Sequence, residues 1–239
     1  MTSTNPWMWA NEELVSFNLV RDRSPVDLLR LYDADPTAAR TMTRRASDAA
    51  FGWPEGTVLR AGRAGTWSFC IENWWLAVGF DPGLLEELSV GTDTVHYFRN
   101  PKGGFFVKHL RDGRCVESFE LGLRPNPFYE APLGLHRAAE QRAVRTDQDP
   151  YTAGQRHAFW EVLSELVGVR LDSALVNGPL LTVLRPSGPL RYGAGSSPTR
   201  KKRPAPPPPV RDPSRRGLGK SLGPLIPPKP HTPHPDEPA

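Results

Sequence analysis

The chain has 239 residues and a formal net charge of +4, and 27 of its residues are proline, about twice the usual ~5%. The charge is unevenly spread: from Pro186 onward, 54 residues hold 16 prolines, ten basic and three acidic residues, while residues 1–185 carry a net charge of −3. Two cysteines exclude a multi-bridge disulfide framework, no run approaches the ~20 apolar residues of a membrane span, and no apolar stretch follows a basic start as in a secretory leader, so the expectation is a cytoplasmic protein with reduced thiols.

Met1 to Pro6 is polar and reads as a frayed start. Trp7 and Trp9 open a segment through Leu14, Phe17 and Leu19 whose apolar period fits either a strand or a helix. Ser24-Pro25 is sharper, because a Ser cap followed by Pro at the first helical position predicts a short helix through Leu28, Leu29 and Leu31. Asp35-Pro36 predicts a second helix running on to Gly52-Trp53-Pro54.

Residues 57–120 read as β-rich. Two strands, around 57–63 and 66–72, are followed by a short helix that Asp81-Pro82 starts, and then by three more strands. The turns between those three can be assigned chemically. Asn100-Pro101-Lys102-Gly103 suits a type I turn with Gly in the left-handed region, and Asp112-Gly113 suits a two-residue type I′ turn. An antiparallel meander follows. After Pro132 the chain returns to helix, with Phe159, Leu163, Leu166 and Val167 forming an amphipathic stripe that Gly168 ends, and Leu171 to Val176 adds one more turn. The fold class is therefore α+β, a single domain over 8–185 with an antiparallel meander packed by flanking helices. Residues 186–239 form a disordered, basic, Pro-rich tail, too poor in apolar residues to offset chain entropy.

The two turns set a register. With Asn100 opposite Gly104, His96 faces Lys108, Phe98 faces Phe106 and Val95 faces His109. The second turn then sets Lys108 opposite Glu117 and Leu110 opposite Cys115, giving a row His96–Lys108–Glu117 flanked by Phe98, Phe106, Phe119 and Cys115. Such a row could move protons, since His titrates near neutrality. It could equally be a cross-strand ion pair worth ~0.2–1 kcal/mol. His109 falls on the other face, which argues against a two-His metal site. Glu72, beside Trp74 and Trp75, could carry a raised pKa or present a ligand platform, or could simply end a strand against packed indoles. Trp53, Trp67 and Trp160 read as core, and both thiols as small buried hydrophobes.

No nucleophile elbow, dinucleotide fingerprint or phosphate-binding loop is present, so no catalytic residue, metal or cofactor is assigned. Arg200, Lys201, Lys202 and Arg203 head the basic tail and suit salt-dependent contacts to nucleic acid or an anionic surface, and its proline runs suit an aromatic groove. A solubilising extension is the plainer reading of the same residues.

Four segments carry a resemblance: LVRDRSPVDLLRLY, GTWSFCIEN, LSVGTDTVHYFRNPKGGFFVKHLRDGR and LSELVGVRLDSALV. They resemble an actinobacterial family carrying a domain of unknown function, and span most of 10–185. The family's Gly-x-Trp and Glu-Asn positions are matched by Gly65, Trp67, Glu72 and Asn73, and its Leu-Ser-x-Gly-Thr by Leu88, Ser89, Gly91 and Thr92. The Gly that usually follows the Asn closely comes late here, at Gly79, after Trp74 and Trp75. The resemblance implies one α+β domain and no known activity. The leading expectation is a non-enzymatic module that binds a protein partner, with weak added contacts from the tail. The alternatives are a small enzyme or ligand-binding domain with its pocket near Glu72, Trp74, Trp75 and His96, and a nucleic-acid accessory protein acting through the tail.

Overall fold

The computed structural model describes residues 8–11, 15–52, 55–72, 77–100, 102–122, 134–145, 153–188 and 190. The expectations for Met1–Pro6, Trp53, Trp74, Trp75 and the tail beyond 190 lie outside the described residues. The chain divides into units 1–197 and 198–239, and the fold below is that of the first.

Eight strands form one antiparallel sheet: β1 (Val15–Arg21), β2 (Arg40–Met42), β3 (Gly56–Ala64), β4 (Trp67–Glu72), β5 (Asp93–Arg99), β6 (Phe105–Arg111), β7 (Arg114–Glu120) and β8 (Leu180–Pro186), in the order β2-β8-β3-β4-β1-β5-β6-β7. The helices are α1 (Pro25–Leu31), α2 (Arg44–Phe51), α3 (Pro82–Leu88), α4 (Gly134–Arg145), α5 (Ala153–Val167) and α6 (Ser173–Asn177). The architecture is α+β.

Both faces of the sheet are covered. On one face Phe17, Phe69, Tyr97, Val107 and Phe119 pack with Ala139 of α4 and with Phe159, Trp160 and Leu163 of α5. On the other, Val20, Leu59, Ala61, Cys70, Leu110 and Val183 pack with Leu28 and Leu29 of α1 and Leu84, Leu85 and Leu88 of α3. Each such large apolar side chain contributes about 1.5–3 kcal/mol on burial. β1 lies between β4 and β5, and its first six residues are all buried. A strand covered on both faces does not alternate polar with apolar, which explains its ambiguous period.

The local signals that hold are capping and turn chemistry. Ser24 caps α1, its Oγ accepting from the Asp27 N–H at 3.1 Å, and Asp81 caps α3 by accepting from Gly83 and Leu84. Asp112 and Gly113 both have positive φ, 49° and 71°, as a type I′ turn requires. Gly103, at φ 87°, closes the Asn100 turn.

Four expectations are corrected. The helix expected from Pro36 to Gly52 is interrupted: Asp35 caps a single 3-10 turn, β2 follows, and Thr43 caps a separate α2. β2 is drawn into the sheet by β8, and this tertiary pairing overrides local helix propensity. Leu166 is 47% exposed, so the stripe of α5 runs through Phe159, Trp160, Leu163 and Val167 instead. Cys115 is exposed whereas Cys70 is buried, because only Cys70 points into a covered part of the sheet. Finally, β7 carries a bulge opposite His109 and Leu110. The register expected from the turn holds only for Leu110 with Cys115. Beyond the bulge, Lys108 faces Ser118, and Glu117 faces His109. The row is therefore His96–Lys108–Ser118, and Phe119 joins the opposite core.

Candidate functional site

On the face covered by α1 and α3, the even-numbered residues of β1, β4 and β5 bring polar groups inside. Asn18 pairs laterally with Cys70 on β4 and His96 on β5, and Ser16 with Glu72. All five are at most 1% exposed. Ser16, Asn18, Glu72 and His96 form a hydrogen-bonded network with Tyr32, also fully buried, and Cys70 lies beside it. Ser16 Oγ donates to Glu72 Oε1 at 2.9 Å, and the Val78 N–H donates to Oε2. Asn18 Nδ2 donates to the Tyr32 hydroxyl oxygen and to Gly79 O at 3.0 Å. Asn18 Oδ1 stands 2.9 Å from His96 Nδ1, and since a carboxamide oxygen can only accept, Nδ1 carries the proton.

Electrostatics follow from burial. Glu72 is pushed up to about 7 by loss of solvation, against the opposing pull of hydrogen bonds from Val78, Ser16, Gly79 and Tyr32. His96 is pushed down to about 3 by burial and by Lys108 nearby, so it is a neutral imidazole at physiological pH. Burial, with Glu72 close by, also raises Tyr32 and Cys70 well above their ordinary ranges. The network can thus hold or release one proton at Glu72 near neutrality. Its geometric effect is to clasp the chain at 78–79 against the sheet, between β4 and α3.

Of the residues singled out from sequence, Glu72 and His96 are brought into one network with Asn18 between them, and Trp74 and Trp75 lie outside the described residues. Ser16, Asn18, Tyr32 and Gly79 were not foreseen. The available signal was three polar residues, Ser16, Asn18 and Ser68, at even positions of apolar strands, where a solvated face or a buried network must follow.

A second network was missed altogether, on the opposite face. His109 lies between two carboxylates, with Nε2 3.0 Å from Asp93 Oδ1 and Nδ1 3.3 Å from Glu117 Oε1. Glu117 also accepts from the Leu135 and His136 N–H groups that open α4. Although burial opposes charge on His109, Glu117 and Asp93 outweigh it and raise the imidazole pKa. The bulge in β7 creates this site by moving Glu117 to the face of His109. Among the described residues, no group of three or more His, Cys, Asp or Glu could hold a metal ion, and no helix is long and apolar enough to cross a membrane.

Searches of the curated proteins and of the solved structures returned no match. Residues 4–129 match the model of a family described as Family of unknown function (DUF6461), a span that includes Ser16, Asn18, Tyr32, Glu72, Gly79 and His96. That span exceeds half of the chain, and the protein belongs to this family of unknown function.

Proposed function

We propose that the protein is a non-enzymatic, cytoplasmic binding module whose folded body, about 8–185, docks a protein partner through an aromatic strip, with weaker contacts added by the basic tail. One observation carries the reading. Phe80 packs against Phe98 in a tilted arrangement, 5.2 Å between ring centroids, and Phe98 pairs across the strands with Phe106. Phe80 is 47% and Phe106 37% exposed. Lys108 and Glu120 flank the strip in register. Contiguous exposed rings with a charged rim are the composition of an interface centre. The buried state of Glu72 and His96, at most 1% exposed, favours a structural part for that network over contact with a substrate.

The tail, headed by Arg200, Lys201, Lys202 and Arg203, supports salt-sensitive contacts to nucleic acid or an anionic surface. The test is quantitative capture from nuclease-treated source-cell lysate with three baits: the full chain, its Phe80→Ala/Phe106→Ala variant, and a chain ending at Ser197. Partner recovery falling about tenfold or more in the double variant is expected, as for loss of an aromatic hot spot. Equal recovery by the full chain and the double variant would remove the reading.

A further inference from the structure

Two charges stand on the same sheet face as the aromatic strip. Phe106 pairs laterally with Phe98 on one side and Glu120 on the other, and two residues further along β6, Lys108 pairs with His96 and Ser118. Lys108 and Glu120 are thus diagonal neighbours, a spacing of about 7–8 Å. Among the described residues, neither makes a hydrogen bond or an ion pair, with the other or with any third group. Phe106, Lys108, Ser118 and Glu120 all reach the surface. Gly104 leaves room for the ring and the carboxylate to sit side by side, since a Cβ there would stand 2.7 Å from Phe106 Cε2 and 3.0 Å from Glu120 Oε1.

We propose that this face binds a second copy of the chain, in a two-fold dimer that sets Lys108 of each copy against Glu120 of the partner subunit, with the two Phe106 rings meeting between the pairs. The proposal rests on the aromatic-strip reading above and names its partner. A two-fold interface is made of the same patch twice, so that when residue i meets residue j, residue j also meets residue i. One unpaired cation and one unpaired anion on a diagonal across an exposed ring meet that condition without help from any other sequence. An axis lying in the interface along the other diagonal, through Phe106 and Ser118, exchanges the two charges and brings ring to ring and hydroxyl to hydroxyl. Phe80 and Phe98 extend the apolar side of the patch. The complementary charges fix the orientation and exclude the register in which like charges meet, while the rings supply the buried area. A patch this narrow buries less than the ~800 Å² per partner of a standard interface, so the dimer is weak and reversible.

The test is sedimentation velocity on the full chain over a wide range of concentration, with charge-reversed variants. Wild type is expected to pass from monomer to dimer as concentration rises. Lys108→Glu gives each copy two acidic groups at the patch, and Glu120→Lys gives each copy two basic ones. Like charges then meet, and self-association of either variant should weaken about tenfold or more. Mixed in equal amounts, the two variants should associate again, because each offers the charges that the other lacks. Neither position is in the core, so both variants keep the fold. Phe106→Ala should weaken the wild-type dimer about tenfold. A wild type that stays monomeric, single variants that associate as wild type does, or a mixture that stays monomeric would each overturn the proposal. Association through the basic tail would appear as the second of these. If wild type is monomeric while Phe80→Ala/Phe106→Ala still loses protein captured from lysate, the dimer falls and the aromatic-strip reading stands with a different partner.

Discussion

Gly79 is pressed so closely against Glu72 that a Cβ added there would stand 2.0 Å from Oε1, and 2.6 Å from Ser16 Oγ. Neither neighbour can retreat, since both are buried and hydrogen-bonded to each other. Gly79→Ala should therefore destabilise the fold by about 3 kcal/mol, through overpacking and loss of the Glu72 contacts. Urea unfolding monitored by tryptophan fluorescence measures it, and a loss below 1 kcal/mol would refute the clasp.

Glu72 also sets a pH dependence. Its pKa is about 7 in the fold against an ordinary 4.5, so the native state holds a proton that the unfolded chain has released. The stabilisation is complete below pH 4.5 and is lost as pH rises through 7, about 3 kcal/mol in all. His96 acts in the opposite sense: its pKa of about 3, against 6.5, gives stability above pH 6.5 that falls away towards pH 3. Between 4.5 and 6.5 the two slopes oppose. Comparing unfolding free energies of wild type and Glu72→Gln isolates the first. The wild-type value minus the variant value should fall by about 3 kcal/mol between pH 4.5 and 8, and a constant difference would contradict it.

The two sheet histidines should behave oppositely in NMR titrations. His96 carries its proton on Nδ1 towards Asn18 and stays neutral, so its ring signals should not move between pH 5 and 8. His109, between Asp93 and Glu117, should titrate above the ordinary 6.5, and its contribution to stability is present below 6.5 and lost as pH rises through its raised pKa. Glu117→Ala should lower the His109 pKa and cost about 2 kcal/mol by leaving the α4 N–H groups without their acceptor. An unshifted His109 in the variant would show that Glu117 is not its partner.

The thiols differ in access. Cys115 is exposed and Cys70 fully buried, and burial raises both above the ordinary thiol range, Cys70 the further. A thiol-reactive probe at pH 8 should modify one cysteine in the native protein and both in urea, with Cys115→Ser abolishing the native reaction. Native labelling of Cys70 would mean that the α1–α3 side opens readily.

What could be read from the sequence was local. Ser24, Asp81, Asn100 and Asp112-Gly113 each carry their own turn or cap chemistry, so α1, α3 and the meander were legible. Elements decided by distant partners were not. β2 and β8 depend on one another and on β3 across more than 100 residues, and no local pattern marks them. The candidate site was half legible for the same reason. Glu72 and His96 stood out as polar residues at the ends and middle of apolar strands, whereas Asn18, which joins them, sits on a strand whose two-sided burial hid its period. The bulge in β7 had a signal that was overlooked: Phe119 belongs with the apolar residues Val107 and Tyr97, and only an extra residue before Glu117 places it there.

β8 lies between β2 and β3, and it arrives from a part of the chain well beyond residue 129. A fragment cut to the family-matched span would leave β3 from Gly56 to Ala61 as a bare edge, with Val58 to Ala61 offering unpaired N–H and C=O groups next to apolar side chains. It would also strip α5 from the aromatic core. Such an edge recruits strands from other molecules. The recognisable part of this protein is therefore expected to be self-adhesive on its own, and the unmatched C-terminal elements are what keep it from pairing strand to strand with its own copies.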